Sequence, residues 1–373
     1  MKQIYLDYNA STPLAPEVIC AMTPFLSSHY GNPSTSHFAA TKAKAAVEKA
    51  REQVAALIGA RKEEIIFTSG GTESNNHVIK NVFEKYHEKG KHIITTSIEH
   101  PAIHEPLRYL KKYGADVSYI GVDQYGQVNK EDIKNAIRSD TILITVMHAN
   151  NEVGTVQPIE EIGEMAREHG IFFHTDAAQS LGKIPINVGQ HCVDFLSLAG
   201  HKLYAPKGVG ALYIRQGVKL GPYIHGAGHE NGMRAGTENV LLIVGLGAAC
   251  ESTQTFLENG SRLEELKKYF LSLLTSAFPR QIRVNGHPTD CLPNTLNVSF
   301  ANRVGQDILD AIPEVAASTG SACHSGEVTL SPVLHAMGVT TEGGKGTIRF
   351  SLGRYTTKME IQEVVDLLKR RLV

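Results

Sequence analysis

Between Glu64 and Leu198 short apolar runs alternate with segments of helical composition, and this alternation constrains the fold more than any other feature of the chain. The runs are Glu64–Thr68, His92–Thr96, Val117–Ile120, Thr141–Met147, Ile171–His174 and Asp194–Leu198. Helix is predicted from Glu73, from Pro101 and over Pro158–Glu168. A strand that is apolar along its whole length has no wet face, so the pattern predicts an α/β fold whose mainly parallel sheet carries helices on both faces. Upstream, Tyr30–Ser36 reads as loop, and Phe38–Ile58 as a helix stopped by Gly59. Downstream, the helices Val240–Glu258 and Arg262–Leu273 lead to the strands Gln281–Val284, Thr295–Ser299 and Thr347–Ser351 and a last helix near Thr357. We therefore expect a large domain over 15–255 and a smaller α/β domain made of 1–14 and 256–373.

Ligands of such sheets collect at the carboxyl ends of the strands, and three polar clusters fall there. Ser69-Gly70-Gly71-Thr72-Glu73 opens a helix, where small residues let N–H groups converge on an anion and Thr72 adds a hydroxyl. No Gly-Lys-Ser/Thr follows, which excludes a Walker loop; an ordinary strand-to-helix turn is the other reading. Asp176 is either a helix cap or a carboxylate for a protonated ring nitrogen. Gln179, three residues on, is within reach of the same ligand if helix begins there. His201-Lys202 is either a surface pair or a lysine tethered for Schiff-base chemistry, which desolvation would favour by removing its proton. An anion turn, a ring-nitrogen carboxylate and a lysine, each after its own strand, form the set that a pyridoxal 5'-phosphate (PLP) enzyme requires.

The totals exclude several other classes. A net charge of −1 over 373 residues supplies no field to gather nucleic acid or anionic lipid. The N-terminus lacks a signal-like apolar run, and no stretch is expected to reach the roughly 18 apolar residues of a spanning helix. Cys20, Cys192, Cys250, Cys291 and Cys323 are scattered and odd in number, which argues against a disulfide framework or a metal knuckle and for a cytoplasmic location.

Further motifs extend along the chain: Leu6-Asp7-Tyr8-Asn9-Ala10, Gly31-Asn32-Pro33-Ser34, the run Thr68 to Asn75, Glu99-His100-Pro101 and the run His148 to Gly154. They continue with His174 to Gln179, Gly200-His201-Lys202, Arg234 to Asn239, Gly320-Ser321-Ala322-Cys323 and Ile348 to Arg354. On these residues, over essentially its whole length, the chain resembles the NifS/IscS cysteine desulfurase family, in the class V aminotransferase group of fold-type I PLP enzymes. The resemblance implies a seven-stranded sheet, a homodimer with active sites at the interface, and no metal. It implies that Lys202 carries the cofactor as a Schiff base, Asp176 pairs with the ring nitrogen, and His100 stacks on the ring and shuttles protons. Gly71, Thr72 and His201 would hold the phosphate, joined by Thr237 across the interface. Asn151 and Gln179 would touch the ring oxygen or substrate, Asn9 would help to hold substrate, and Arg349 would clamp its carboxylate bidentately. Cys323 would take sulfur from L-cysteine, leaving L-alanine and a persulfide for an acceptor protein. Gly320, Ser321, Ser325 and Gly326 predict a flexible loop around it.

Two positions depart from the family pattern. Ala199 stands where a serine is usual, removing one phosphate donor. His324 stands beside Cys323 where a small hydroxyl residue is common, and it either lowers the thiol pKa or only shapes the loop. Ala322-Cys323-His324-Ser325, with Ser331-Pro332-Val333-Leu334 behind it, also resembles selenocysteine lyases and the desulfurases of DNA sulfur modification, so selenocysteine lyase is the alternative activity. A non-catalytic scaffold is disfavoured by the intact Lys202, Asp176 and Arg349, and an aminotransferase by Cys323, which would then have no task.

Overall fold

The computed structural model describes residues 3–258, 262–324 and 327–372 and, within them, every side chain except those at 258, 321–324, 327 and 328. The chain opens with β1 (Ile4–Tyr5), α1 (Pro16–Met22), α2 (Pro24–Ser27) and α3 (Thr41–Ile58). α3 ends as expected at Gly59, which takes a φ of 68° that a side chain would oppose. The alternating region follows: β2 (Ile65–Thr68), α4 (Gly71–Tyr86), β3 (His92–Thr96), α5 (Pro101–Lys111), β4 (Asp116–Ile120) and α6 (Lys130–Ala136). It continues through β5 (Thr141–Thr145), α7 (Ile159–Glu168), β6 (Phe172–Asp176), β7 (Phe195–Ala199) and β8 (Gly210–Ile214).

These strands form one seven-stranded sheet in the order β2-β8-β7-β6-β5-β3-β4. All neighbours from β7 to β4 pair in parallel, and β8 runs antiparallel to both β2 and β7. Alternate residues feed two cores, because successive side chains of a strand point to opposite faces. Ile65, Phe67, Leu196 and Leu198 pack with residues of α1, α3 and α7 and of a later helix, α8 (Val240–Glu258). Ile66, Phe195 and Leu212 pack with α4 and α5. Gly210 lets β8 begin hard against the turn that opens α4: a Cβ there would lie 2.5 Å from the Leu198 carbonyl oxygen and 2.7 Å from Gly70 Cα.

One expectation is corrected. Val240–Leu257 is, by length and composition, apolar enough to cross a membrane. The reason is internal packing: Ile243, Leu246, Ala249 and Cys250 are buried in the core beneath α3. Leu241, Leu242 and Val244 are only partly exposed.

The remaining chain comprises α9 (Arg262–Ala277), β9 (Ile282–Asn285), β10 (Thr295–Phe300), α10 (Gly305–Ala311), β11 (Val315–Ala316) and β12 (Ser318–Thr319). It ends with β13 (Ser321–His324), β14 (Glu327–Leu330), α11 (Pro332–Ala336), α12 (Thr341–Gly344), β15 (Thr347–Ser351) and α13 (Lys358–Leu372). β12-β15-β10-β9 is an antiparallel sheet, β1 pairs in parallel with β11, and β13 pairs with β14. Ile4 and Leu6 join Phe270, Val298, Phe350 and Leu368 in a separate core. From there the N-terminal segment runs to the large sheet. Asp7 bridges to Ser351, the Thr12 N–H donates to the His201 carbonyl, and the Ala15 N–H donates to that of Tyr204.

Candidate active site

The ends of β2, β3, β5, β6 and β7, the N-terminal segment and β15 enclose a cavity of about 330 Å³, within the roughly 300–1,000 Å³ usual for small-molecule sites. Asn9, Gly71, Thr72, His100, Asn151, Asp176, Gln179, His201, Lys202 and Arg349 all line it. Thr237 does not; it is exposed on the segment before α8. Cys323 lies on β13 with its backbone opposite Val328, and its side chain, like Ser325 and Gly326, is outside the described residues.

α4 begins at Gly71, two residues before the predicted start, so Gly71 and Thr72 form its first turn. First-turn N–H groups have no acceptor within their own helix, and the dipole makes that end a seat for an anion. The turn is braced by Glu73, whose carboxylate accepts from the Ser69 N–H at 2.9 Å and from Arg234 Nε at 3.0 Å. Ala199 lies across from it, where a Cβ on Gly71 would be 3.5 Å away. Its methyl offers no donor, so the hydroxyl missing from the sequence is replaced here by nothing polar of its own.

Asp176 is the last residue of β6, and no helix follows it. The sequence put Gln179 within reach of the same ligand on the condition that helix began there. It sits in a non-helical turn, in which the Asp176 Oδ1 accepts from the Ala178 N–H at 2.9 Å, and still lines the cavity. The other carboxylate oxygen accepts from Asn75 Nδ2 at 2.7 Å. Asn75 is buried and also lines the cavity, and sequence reasoning gave it no role. The available signal was its spacing: three residues after Thr72 it shares that residue's helix face.

His100 caps α5, with Nδ1 accepting from the Ala102 N–H at 3.1 Å. Burial lowers its pKa, so at neutral pH the ring is uncharged and its proton is on Nε2. The preceding residue, Glu99, is buried; its Oε1 accepts from Thr96 Oγ1 at 2.7 Å and from the Met147 N–H at 2.8 Å. Desolvation pushes its pKa up to about 8. The carboxyl therefore holds the loop bearing His100 to the end of β5 without adding charge beneath the cavity.

Lys202 closes a 3-10 turn, Gly200–Lys202, directly after β7. Its Nζ donates to the carbonyls of Asn9 at 2.6 Å and Ala10 at 2.9 Å. Burial, then the positive Arg349, push its pKa down to about 8 against the opposing pull of Asp176 and Asp7. An amine so poised releases its proton far more readily than a surface lysine. His201 is likewise held neutral, at about 4, by burial and the neighbouring lysines.

Arg349 rises from β15 with Nη1 on the Asn151 carbonyl at 3.0 Å and Nη2 on Asp7 Oδ1 at 2.7 Å and Ser318 Oγ at 2.8 Å. Its buried Nε has no hydrogen-bond partner among the described residues. The guanidinium brings a positive charge to the cavity wall while its Nη atoms are held by Asn151, Asp7 and Ser318. A helix N-terminus, a deep carboxylate fixed by two donors, an uncharged imidazole, a poised amine and a guanidinium at the wall together fit PLP bearing an amino-acid substrate. Among the described residues no group of three His, Cys, Asp or Glu side chains is placed to hold a metal.

The sheet order and the lysine after β7 define the fold of the type I transferases. Residues 4–364 match the family model described as aminotransferase class-V. Cysteine desulfurase IscS of Dictyoglomus turgidum is 49% identical over 372 residues, 99% of this chain and 94% of that protein. A solved structure described as a NifS-like protein superposes with a TM-score of 0.93 at 37% identity, covering 99% of both chains. Another, SspA in complex with cysteine, gives 0.84 at 40% identity, over 95% of this chain and 100% of that one. The chain belongs to the aminotransferase class-V family, among its NifS/IscS-like cysteine desulfurases.

Proposed function

We propose that the chain is a PLP-dependent L-cysteine desulfurase, and the observation that carries this reading is Lys202, a depressed-pKa amine in the same cavity as the Asp176–Asn75 pair. When bound, PLP supplies an electron sink that labilises bonds at the substrate α-carbon. Gly71, Thr72 and His201 would hold the phosphate, and Asp176 would keep the ring nitrogen protonated. Lys202 would hold the aldehyde carbon and is placed to carry the substrate's α proton, and His100, with a proton at Nε2, would cover the ring. Arg349, with Asn9 and Asn151, orients the substrate carboxylate.

Cys323 attacks the substrate sulfur. An S–S bond forms, the C–S bond breaks, and its electron pair is taken up at the carbon, which gains a proton to give L-alanine. The balance is L-cysteine plus Cys323 thiol to L-alanine plus Cys323 persulfide. We assign the large unit to 15–255 and the small one to 1–14 and 256–373, and take the working form to be a cytoplasmic homodimer. Thr237 of a second copy then completes the phosphate site, which agrees with its exposure outside the cavity of its own chain. The likeness to SspA in complex with cysteine favours cysteine over selenocysteine. The persulfide passes to an acceptor protein, an iron–sulfur scaffold or a component of tRNA thiolation or DNA sulfur modification; radiolabelled cysteine trapping distinguishes these.

The test is turnover of L-cysteine by the PLP-loaded protein. We expect alanine as the product, and we expect Cys323→Ala to abolish cysteine turnover while sparing selenocysteine, whose selenolate leaves without a nucleophile's help. Keto acid in place of alanine, or no turnover by the unmodified protein, overturns the reading.

A further inference from the structure

A second lysine stands behind the cavity wall. Lys183, in the turn after β6, sends Nζ to Gln179 Oε1 at 2.7 Å and to Asn9 Oδ1 at 3.0 Å. It does not line the cavity. Desolvation, with Lys202 and Arg349 nearby, moves its pKa well below the usual lysine range. Charged or neutral, the amine has at least two N–H groups, and both contacts are oxygens, so both bonds run from Lys183 outward.

That direction fixes the Gln179 amide. With Oε1 taken by Lys183, Nε2 donates to the Asn9 carbonyl at 3.0 Å, and the N–H end is left to serve the cavity. The flipped amide would set N–H against N–H at Lys183 and oxygen against oxygen at Asn9, losing two buried hydrogen bonds for two repulsions. Asn9 is set by the same logic. Its Oδ1 accepts from Lys183 and from Asn294 Nδ2, so its Nδ2 turns to Thr295 Oγ1 and the Asn151 carbonyl.

We propose that Lys183 is a positioning residue that makes Gln179 a hydrogen-bond donor toward the cavity, so that the site takes a ligand with an anionic oxygen at that point. This rests on the PLP reading above, in which that oxygen is the phenolic oxygen of the ring. A donor on the oxygen stabilises its anionic form; removing the donor leaves it more basic.

The experiment is a double-mutant cycle of Lys183→Met and Gln179→Leu in the full-length protein, titrated with PLP and followed by the visible absorbance of the bound cofactor against pH. In the parent, Lys183→Met weakens PLP binding about tenfold, the order expected for one buried hydrogen bond, and moves the pH midpoint of the visible band upward. In the Gln179→Leu background the same substitution changes neither quantity further. Equal effects in both backgrounds, or an unmoved midpoint, overturn the inference and leave the PLP reading intact. A parent protein that takes up no PLP overturns both. If Lys183→Met is not recovered folded, Lys183→Gln, which keeps an N–H donor, serves in the same cycle. A retained midpoint supports the assignment, and a loss that is the same with and without Gln179 contradicts it.

Discussion

Glu99 sits one residue before His100 with its carboxyl out of water, one oxygen taking two hydrogen bonds and the other, Oε2, taking none. Its pKa in the fold is about 8, against 4.5 in the unfolded chain. The native state therefore keeps a proton that the unfolded state gives up across that window. Stability contributed by the neutral carboxyl is complete below pH 4.5 and is lost as pH rises toward 8, by at most about 1.4 kcal/mol per pH unit. Glu99→Gln keeps the accepting oxygen and has no proton to lose. Its urea unfolding midpoint falls less than that of the parent between pH 5 and pH 8; parallel curves would contradict the assignment. Glu99, Asn75 and Lys183 share a reason for escaping the sequence reading. Each is a polar residue whose burial depends on partners distant in the chain, which no periodicity reports.

Elements were legible where apolar runs and helices alternate, as they do from β2 to β6, and β7 was legible as an apolar run although no helix separates it from β6. β8 was not, because its run Gly210–Ile214 opens on Gly-Ala directly after the Lys202 turn and a Pro/Gly loop, so its start reads as a continuation of that loop. The turn after Asp176 was left open by the sequence. Ala177-Ala178-Gln179 has helical composition, and Asp176 accepts from the Ala178 N–H as a helix cap does, but the chain makes a single turn there and does not go on into helix. β8 matters to the site through Gly210, which touches both the carbonyl of β7 before Ala199 and Gly70 before the anion turn. Gly210→Val drives a branched side chain into that backbone. We expect a loss of about 2–4 kcal/mol in unfolding free energy, in the range of severe overpacking, together with weaker binding of PLP because Gly71 and Thr72 move. A calorimetric Tm within a degree or so of the parent would contradict the close approach.

At the scale of the molecule, the site is assembled from both ends of the chain. Leu6 is anchored in the core that holds Phe350, and only three residues later Asn9 meets Lys202, Gln179, Lys183, Asn294 and Thr295. A residue so placed couples the β15 sheet, with Arg349, to the strand ends that carry Lys202 and Asp176. The family motifs marked Asn9 as a substrate contact; the structure adds that its backbone carbonyl holds the amine of Lys202 and its amide is set by Lys183. Two half-buried lysines thus share one neighbour, and the central claim is that only Lys202 carries the cofactor. Borohydride reduction of the PLP-loaded protein, followed by peptide mass spectrometry, tests this directly. The account predicts a phosphopyridoxyl group fixed on Lys202 alone; the same group on Lys183, or no labelled lysine at all, would contradict it.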